Sequence, residues 1–100
     1  MQNFVFVRFF PKAGAEQQVR EILLNMVVNT RMEPGCTLYN LYEMTGEDNQ
    51  HIFCLAEQYL DDDALLAHRA GQYYKDYRAT IMDLLAAPIE VNIMTPVDAI

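Results

Sequence analysis

The sequence is poor in basic residues, cysteine, histidine and glycine, and it has no tryptophan. Seven Lys and Arg stand against 14 Asp and Glu, a formal net charge of −7. Nucleic-acid phosphates demand a clustered basic footprint, so no nucleic-acid partner is expected. The same charge repels an anionic membrane leaflet, and no stretch approaches the ~20 apolar residues that span a bilayer. Met1-Gln2-Asn3 lacks the basic start and cleavage site of a secretion signal. The expected location is cytoplasmic. Cys36 and Cys54 form no Cys-x-x-Cys pair and have no patterned His beside them, so they read as small buried hydrophobes. With only His51 and His68 available, no metal site is expected. The few glycines form no phosphate-cradling run, nucleophile elbow or dinucleotide fingerprint.

What is present is apolar surface: 52% of the 100 residues are hydrophobic. A chain of this length buries roughly two-thirds of its unfolded surface, enough for one core without staples, and residues 1–100 read as one domain. Asn3 to Phe10 (NFVFVRFF) is aromatic and β-branched, a strand. After Pro11 and Gly14 the period changes, and Val19, Ile22, Leu23, Met26 and Thr30 form one helical stripe. Glu33-Pro34-Gly35 turns the chain. Cys36 to Met44 and His51 to Tyr59 read as strands joined by the polar loop Thr45 to Gln50. Asp61 to Asp63 supply an N-cap and first-turn charge for a short helix through His68. Gly71 interrupts it, and a second stripe runs through Tyr74, Tyr77, Ile81, Leu84 and Leu85 to Pro88. Ile89, Val91 and Ile93 alternate with Glu90, Asn92 and Met94 in a last strand.

The order is β-α-β-β-α-β, an α+β ferredoxin-like fold with helices on one face of a four-stranded antiparallel sheet. The other face should be polar in a monomer. Instead, Phe4, Phe6 and Phe10 alternate with Val5, Val7 and Phe9, and Ile52, Cys54 and Ala56 alternate with Phe53 and Leu55. A second copy of the chain is the expected cover, giving a homodimer through the sheet faces.

A polar and aromatic set remains in the second half: Asn40, Tyr42, Glu57, Tyr59, His68, Tyr73, Tyr74 and Tyr77. Glu57 sits among apolar strand neighbours with Tyr59 on the same face, and a carboxylate buried there needs partners or stays protonated. His68 ends a helix near the Gly71 break, where it could serve the helix dipole or a pocket. Tyr74 and Tyr77 fall on the core stripe, and Tyr73 falls off it. Lys75, Arg69 and Arg78 read as solvated.

Several stretches resemble the antibiotic biosynthesis monooxygenase family of small dimeric ferredoxin-like proteins. They are Glu33-Pro-Gly-Cys-x-x-Tyr39, Glu57-x-Tyr59-x-Asp61 and Ala64-Leu-Leu-Ala-His68-x-x-x-x-Tyr73-Tyr74, with Pro88-Ile-Glu-Val and Pro96-Val at the end. The resemblance spans essentially the whole chain. It implies a pocket between sheet and helices beside a dimer interface. It also implies oxidation of a small phenolic, quinol or polycyclic aromatic substrate by molecular oxygen, without metal, flavin or haem, and hence no cofactor. In this reading His68 orients the substrate or accepts its proton, Tyr59 and Tyr73 line the pocket, Glu57 supports from the sheet, and Asn40 is a further substrate contact. The chain departs from the pattern in places. Haem-cleaving and anthrone-oxidising relatives favour a Trp where this chain reads Glu57-Gln58-Tyr59, and the first strand offers Val5-Phe6-Val7 where haem-cleaving relatives have Asn. Tyr73 stands where many relatives carry a second His. A non-oxidative isomerase acting on a small polar metabolite, or a non-catalytic dimeric ligand-binding module, are the alternative expectations.

Overall fold

In a computed structural model, which describes residues 3–99, alternation and helical stripes resolve into seven main elements. These are β1 (Asn3–Phe9), α1 (Glu16–Thr30), β2 (Cys36–Thr45), β3 (His51–Tyr59), α2 (Asp62–Ala70), α3 (Gln72–Ile81) and β4 (Glu90–Met94). The reading of Met1 and Gln2 lies outside the described residues. The four strands form one antiparallel sheet in the order β2-β3-β1-β4, the ferredoxin-like α+β fold expected from the sequence.

The period of two decides which residues enter the core. Val5, Val7 and Phe9 of β1 lie opposite Glu57, Leu55 and Phe53 of β3, and Tyr39 of β2 lies opposite Glu57 from the other side. These residues are all buried, together with the α1 stripe Val19, Leu23 and Met26 and with Leu65, Tyr77 and Ile81 of the other helices. The core is thus the layer between the helices and one face of the sheet.

The helix on the second half is broken as the sequence suggests. Gly71 has extended backbone (φ −68°, ψ 147°), closing α2 and opening α3. Asp61 caps α2, its Oδ1 accepting from the Ala64 amide at 2.8 Å. This satisfies one of the free donors of a helix N-terminus. The helix expected to continue through Leu85 stops at Ile81, and Met82–Leu84 tighten into a single 3-10 turn, although Leu84 and Leu85 still pack on the core. The reason is topological: the chain must reverse here to bring β4 beside β1. Lys12 N donates to Leu84 O at 2.8 Å and Ala86 N to Phe10 O at 2.7 Å, tying the reversal to the end of β1. Glycine is required at position 35. A Cβ there would lie 2.6 Å from the Ala64 Cβ, so the turn after α1 rests directly on the first turn of α2. The Gly35 carbonyl also accepts from the Leu60 amide at 3.0 Å.

The opposite sheet face carries Phe4, Phe6 and Phe10, all half-buried, with Tyr42 (53% exposed), Met44 (42%) and Met94 (45%) beside them. Arg8 and Glu90 pair across β1 and β4 at 2.7 Å on this face. Among the described residues, no helix is long and apolar enough to cross a membrane.

Candidate functional site

Three segments remote in sequence meet under α2. Strand β3 projects Glu57 and Tyr59 toward the helices, where they are 5% and 0% exposed. The Tyr59 hydroxyl donates to Glu57 Oε1 at 2.6 Å. Burial pushes the Glu57 carboxyl up to about 7; the Tyr59 hydrogen bond and the charge of Arg69 oppose the rise, and the charge of Glu33 adds to it. Burial also raises the Tyr59 phenol, reinforced by Glu57, and the Tyr39 phenol for the same two reasons. Both phenols therefore stay protonated across the physiological range.

Helix α2 turns Leu65 and His68 inward, three residues apart on one face. His68 is 2% exposed. Its ring is surrounded by tyrosines, with centroids 5.0 Å from Tyr74, 5.3 Å from Tyr59, 5.9 Å from Tyr39 and 6.3 Å from Tyr73. Nδ1 lies 3.0 Å from Oε2 of Glu33, which stands in the turn after α1. With Glu33 ionised, the carboxylate accepts and Nδ1 carries the proton. The Glu33 amide donates to Thr30 O at 3.0 Å and its carbonyl accepts from Cys36 N at 3.2 Å, which sets the turn.

A groove of about 550 Å³ opens where this turn meets α2. It is lined by Glu33, Pro34, Gly35, Leu60, Asp61, Asp63, Ala64, Ala67, Gly71 and Tyr73. Its body is apolar, its charged groups are carboxylates, and none of these lining residues is basic. Tyr73 also borders a smaller cleft of about 240 Å³ between α1 and α3, beside Met26 and Tyr77. The Tyr73 hydroxyl is buried and has no hydrogen-bond partner among the described residues. Arg78 donates to the Tyr74 hydroxyl at 3.1 Å and stacks over its ring. No group of three or more His, Cys, Asp or Glu comes together among the described residues as a metal would require.

The structure therefore gathers Glu57, Tyr59, His68 and Tyr73, but of these four only Tyr73 lines the groove; Tyr59, expected to line it, is fully buried behind His68. Asn40 stands apart. It precedes Leu41 and follows Tyr39, both on the helix face, so alternation turns it to the opposite face, paired in register with Ala56. There it accepts from Arg31 and donates to the Tyr42 hydroxyl, both at 3.2 Å. Sequence reasoning passed over two residues. Glu33 read only as part of a turn, and Tyr39 only as a strand aromatic. Both lie in the Glu33-to-Tyr39 stretch that carries the family resemblance, which was the available signal.

The family model for antibiotic biosynthesis monooxygenase matches residues 4–80, from β1 into α3. The chain belongs to this family. It is 36% identical over 94 residues to "Putative monooxygenase Rv0793" of Mycobacterium tuberculosis, covering 94% of this chain and 90% of that protein. The structure of Rv0793 superposes with a TM-score of 0.90, covering 99% of this chain and 98% of the other. "Putative monooxygenase YcnE" of Bacillus subtilis is 31% identical over 67 residues, 67% of this chain and 68% of that protein. A Caulobacter crescentus family structure with 20% identity covers 97% of this chain and 91% of the other, with a TM-score of 0.87. At that identity the likeness is one of fold.

Proposed function

We propose that this family member is a homodimeric monooxygenase that oxidises a small neutral phenolic or quinol substrate with molecular oxygen, using no cofactor. The observation that carries this reading is an apolar groove with the Glu33–His68 pair at its edge, and with the hydrogen-bonded Tyr59–Glu57 pair behind His68. The names of the two relatives and of the family support the monooxygenase chemistry. An electron-rich phenol that loses its hydroxyl proton leaves the bonding pair on oxygen, and the phenolate can reduce oxygen directly. A ring carbon of the phenolate forms a C–O bond to oxygen, the O–O bond then breaks, and that carbon gives up its hydrogen as a proton, leaving a quinone. One oxygen atom stays in the product and the other leaves as water, all four electrons coming from the substrate. The protein's part is to exclude water, orient the ring and hold the proton near the Glu33–His68 pair. Tyr73 walls the site, and the hydrogen-bonded Tyr59 and Glu57 support His68 from behind.

Under the isomerase alternative, which takes a small polar metabolite, a phosphorylated ligand would require a basic clamp. The carboxylates lining the groove disfavour it. The homodimer belongs to the same reading: the half-buried Phe4, Phe6 and Phe10 and the exposed Tyr42 and Met44 form an apolar face that a second copy would cover.

Oxygen uptake by metal-free protein against quinols, dihydroxynaphthalenes and anthrones tests the proposal. Uptake above the autoxidation rate is the expected result. Retention of such compounds without uptake would make the protein a ligand-binding module instead.

A further inference from the structure

Two polar residues compete for contact with the ligand, and they are unequally placed. His68 retains 2% of its side-chain surface and does not line the groove. Glu33 retains 23%, lines the groove, and holds His68 Nδ1 at 3.0 Å. We infer that Glu33 is the residue that meets the ligand, that His68 is a positioning residue acting through the Glu33 carboxylate, and that within the proposed substrate class Glu33 selects a neutral ligand whose hydroxyl donates to it. The inference rests on the groove being the site of the proposed function, and not on the oxygen chemistry.

The chemistry of the lining selects that ligand. An ionised carboxylate only accepts hydrogen bonds, so the group facing Glu33 must donate. Pro34, Leu60, Ala64 and Ala67 offer an apolar wall for a ring. Asp61 and Asp63 add negative charge, and Asp61 is already occupied in capping the Ala64 amide. Every charged side chain of the lining is a carboxylate, so an anionic ligand would meet like charge there. The role of His68 follows from its place behind Glu33: its N–H holds the carboxylate in one orientation on a turn that otherwise leaves a three-torsion side chain free. A ligand contact is more precise when its rotamer is fixed by a supporting hydrogen bond.

The test is fluorescence titration of the full chain with 1-naphthol, 1-methoxynaphthalene and 1-naphthoate. The wild type should bind naphthol at least roughly tenfold tighter than the ether, the scale of one hydrogen bond to a charged group. Naphthoate should bind more weakly than naphthol. In Glu33→Ala the preference for naphthol over the ether should vanish and naphthoate should gain affinity. Glu33→Gln keeps the side-chain volume and should lose most of the preference. His68→Asn, which retains an N–H, should keep more of the preference than His68→Leu, a rescue that a purely structural role would not produce. A preference that survives both Glu33 changes would overturn the inference, as would the absence of binding by any of the three probes. Oxygen uptake separates this inference from the proposed function. Uptake that is unchanged in Glu33→Ala overturns the role of Glu33 and leaves the oxygenase standing. A Glu33-dependent naphthol preference without uptake supports the inference and removes the oxygenase.

Discussion

The two faces of the sheet use the same alternating strands but treat polar groups in opposite ways. On the helix-covered face, Glu57 and Tyr59 are removed from water and satisfied by each other at 2.6 Å. On the open face, Arg8 and Glu90 pair at 2.7 Å with 40% and 47% of their side chains exposed, where an ion pair is worth little. The difference marks where chemistry can be done. A carboxyl group held in an apolar layer has its proton affinity set by the protein, while one on a wet surface has it set by solvent. The open face, by contrast, offers apolar area and ordinary surface charges, the makings of an interface.

The sharpest way to break this contrast is to place charge on the open face. Phe6→Glu should halve the mass measured by light scattering if that face joins two copies, while leaving far-ultraviolet circular dichroism unchanged. A wild-type chain that already runs as a monomer would remove the interface.

The buried carboxyl gives the next largest effect. Folding raises Glu57 from the usual 4.5 to about 7, so the native state binds this proton more tightly than the unfolded chain. The stability it lends is full below pH 4.5 and is lost as pH rises through about 7. The loss is at most about 3–4 kcal/mol, since one pKa unit is worth ~1.4 kcal/mol. Urea unfolding of Glu57→Gln should show a flatter profile over this window than wild type.

Packing between the site's two walls comes third. Gly35→Ala forces a methyl against Ala64 and should cost about 1–3 kcal/mol, read as a lower unfolding midpoint. The groove should lose ligand affinity with it, because Glu33 rides on the same turn. The smallest effect is expected on the open face. Asn40→Ala removes exposed hydrogen bonds and should change stability by no more than about 0.5 kcal/mol. Its turnover should equal that of wild type, and a large loss there would place part of the site on the wrong side of the sheet.

Much of the fold was legible because its signals are local. Alternation in Asn3 to Phe9 and the stripe from Val19 to Met26 reveal their elements within a few residues, and Asp61 and Gly71 punctuate α2 and α3 by their own chemistry. The end of α3 was not legible, because Met82 to Leu85 keep the stripe's composition and only the hydrogen bonds to Phe10 and Lys12 end the helix there. The site was half legible. Glu57 and Tyr59 share a strand face two residues apart, so their pairing follows from the period. Glu33 and His68 lie 35 residues apart on different elements, and no spacing rule joins them. Asn40 was grouped with the site by its chemistry, although its odd step from Tyr39 already turns it away.

The most direct test of the account is oxygen consumption by metal-free protein with a dihydroxynaphthalene, measured for wild type and Glu33→Ala. The account predicts enzyme-dependent uptake that falls by roughly 10²–10⁴-fold in the variant, the range of general acid–base assistance. Uptake no faster than autoxidation, or uptake equal in the two proteins, would contradict it.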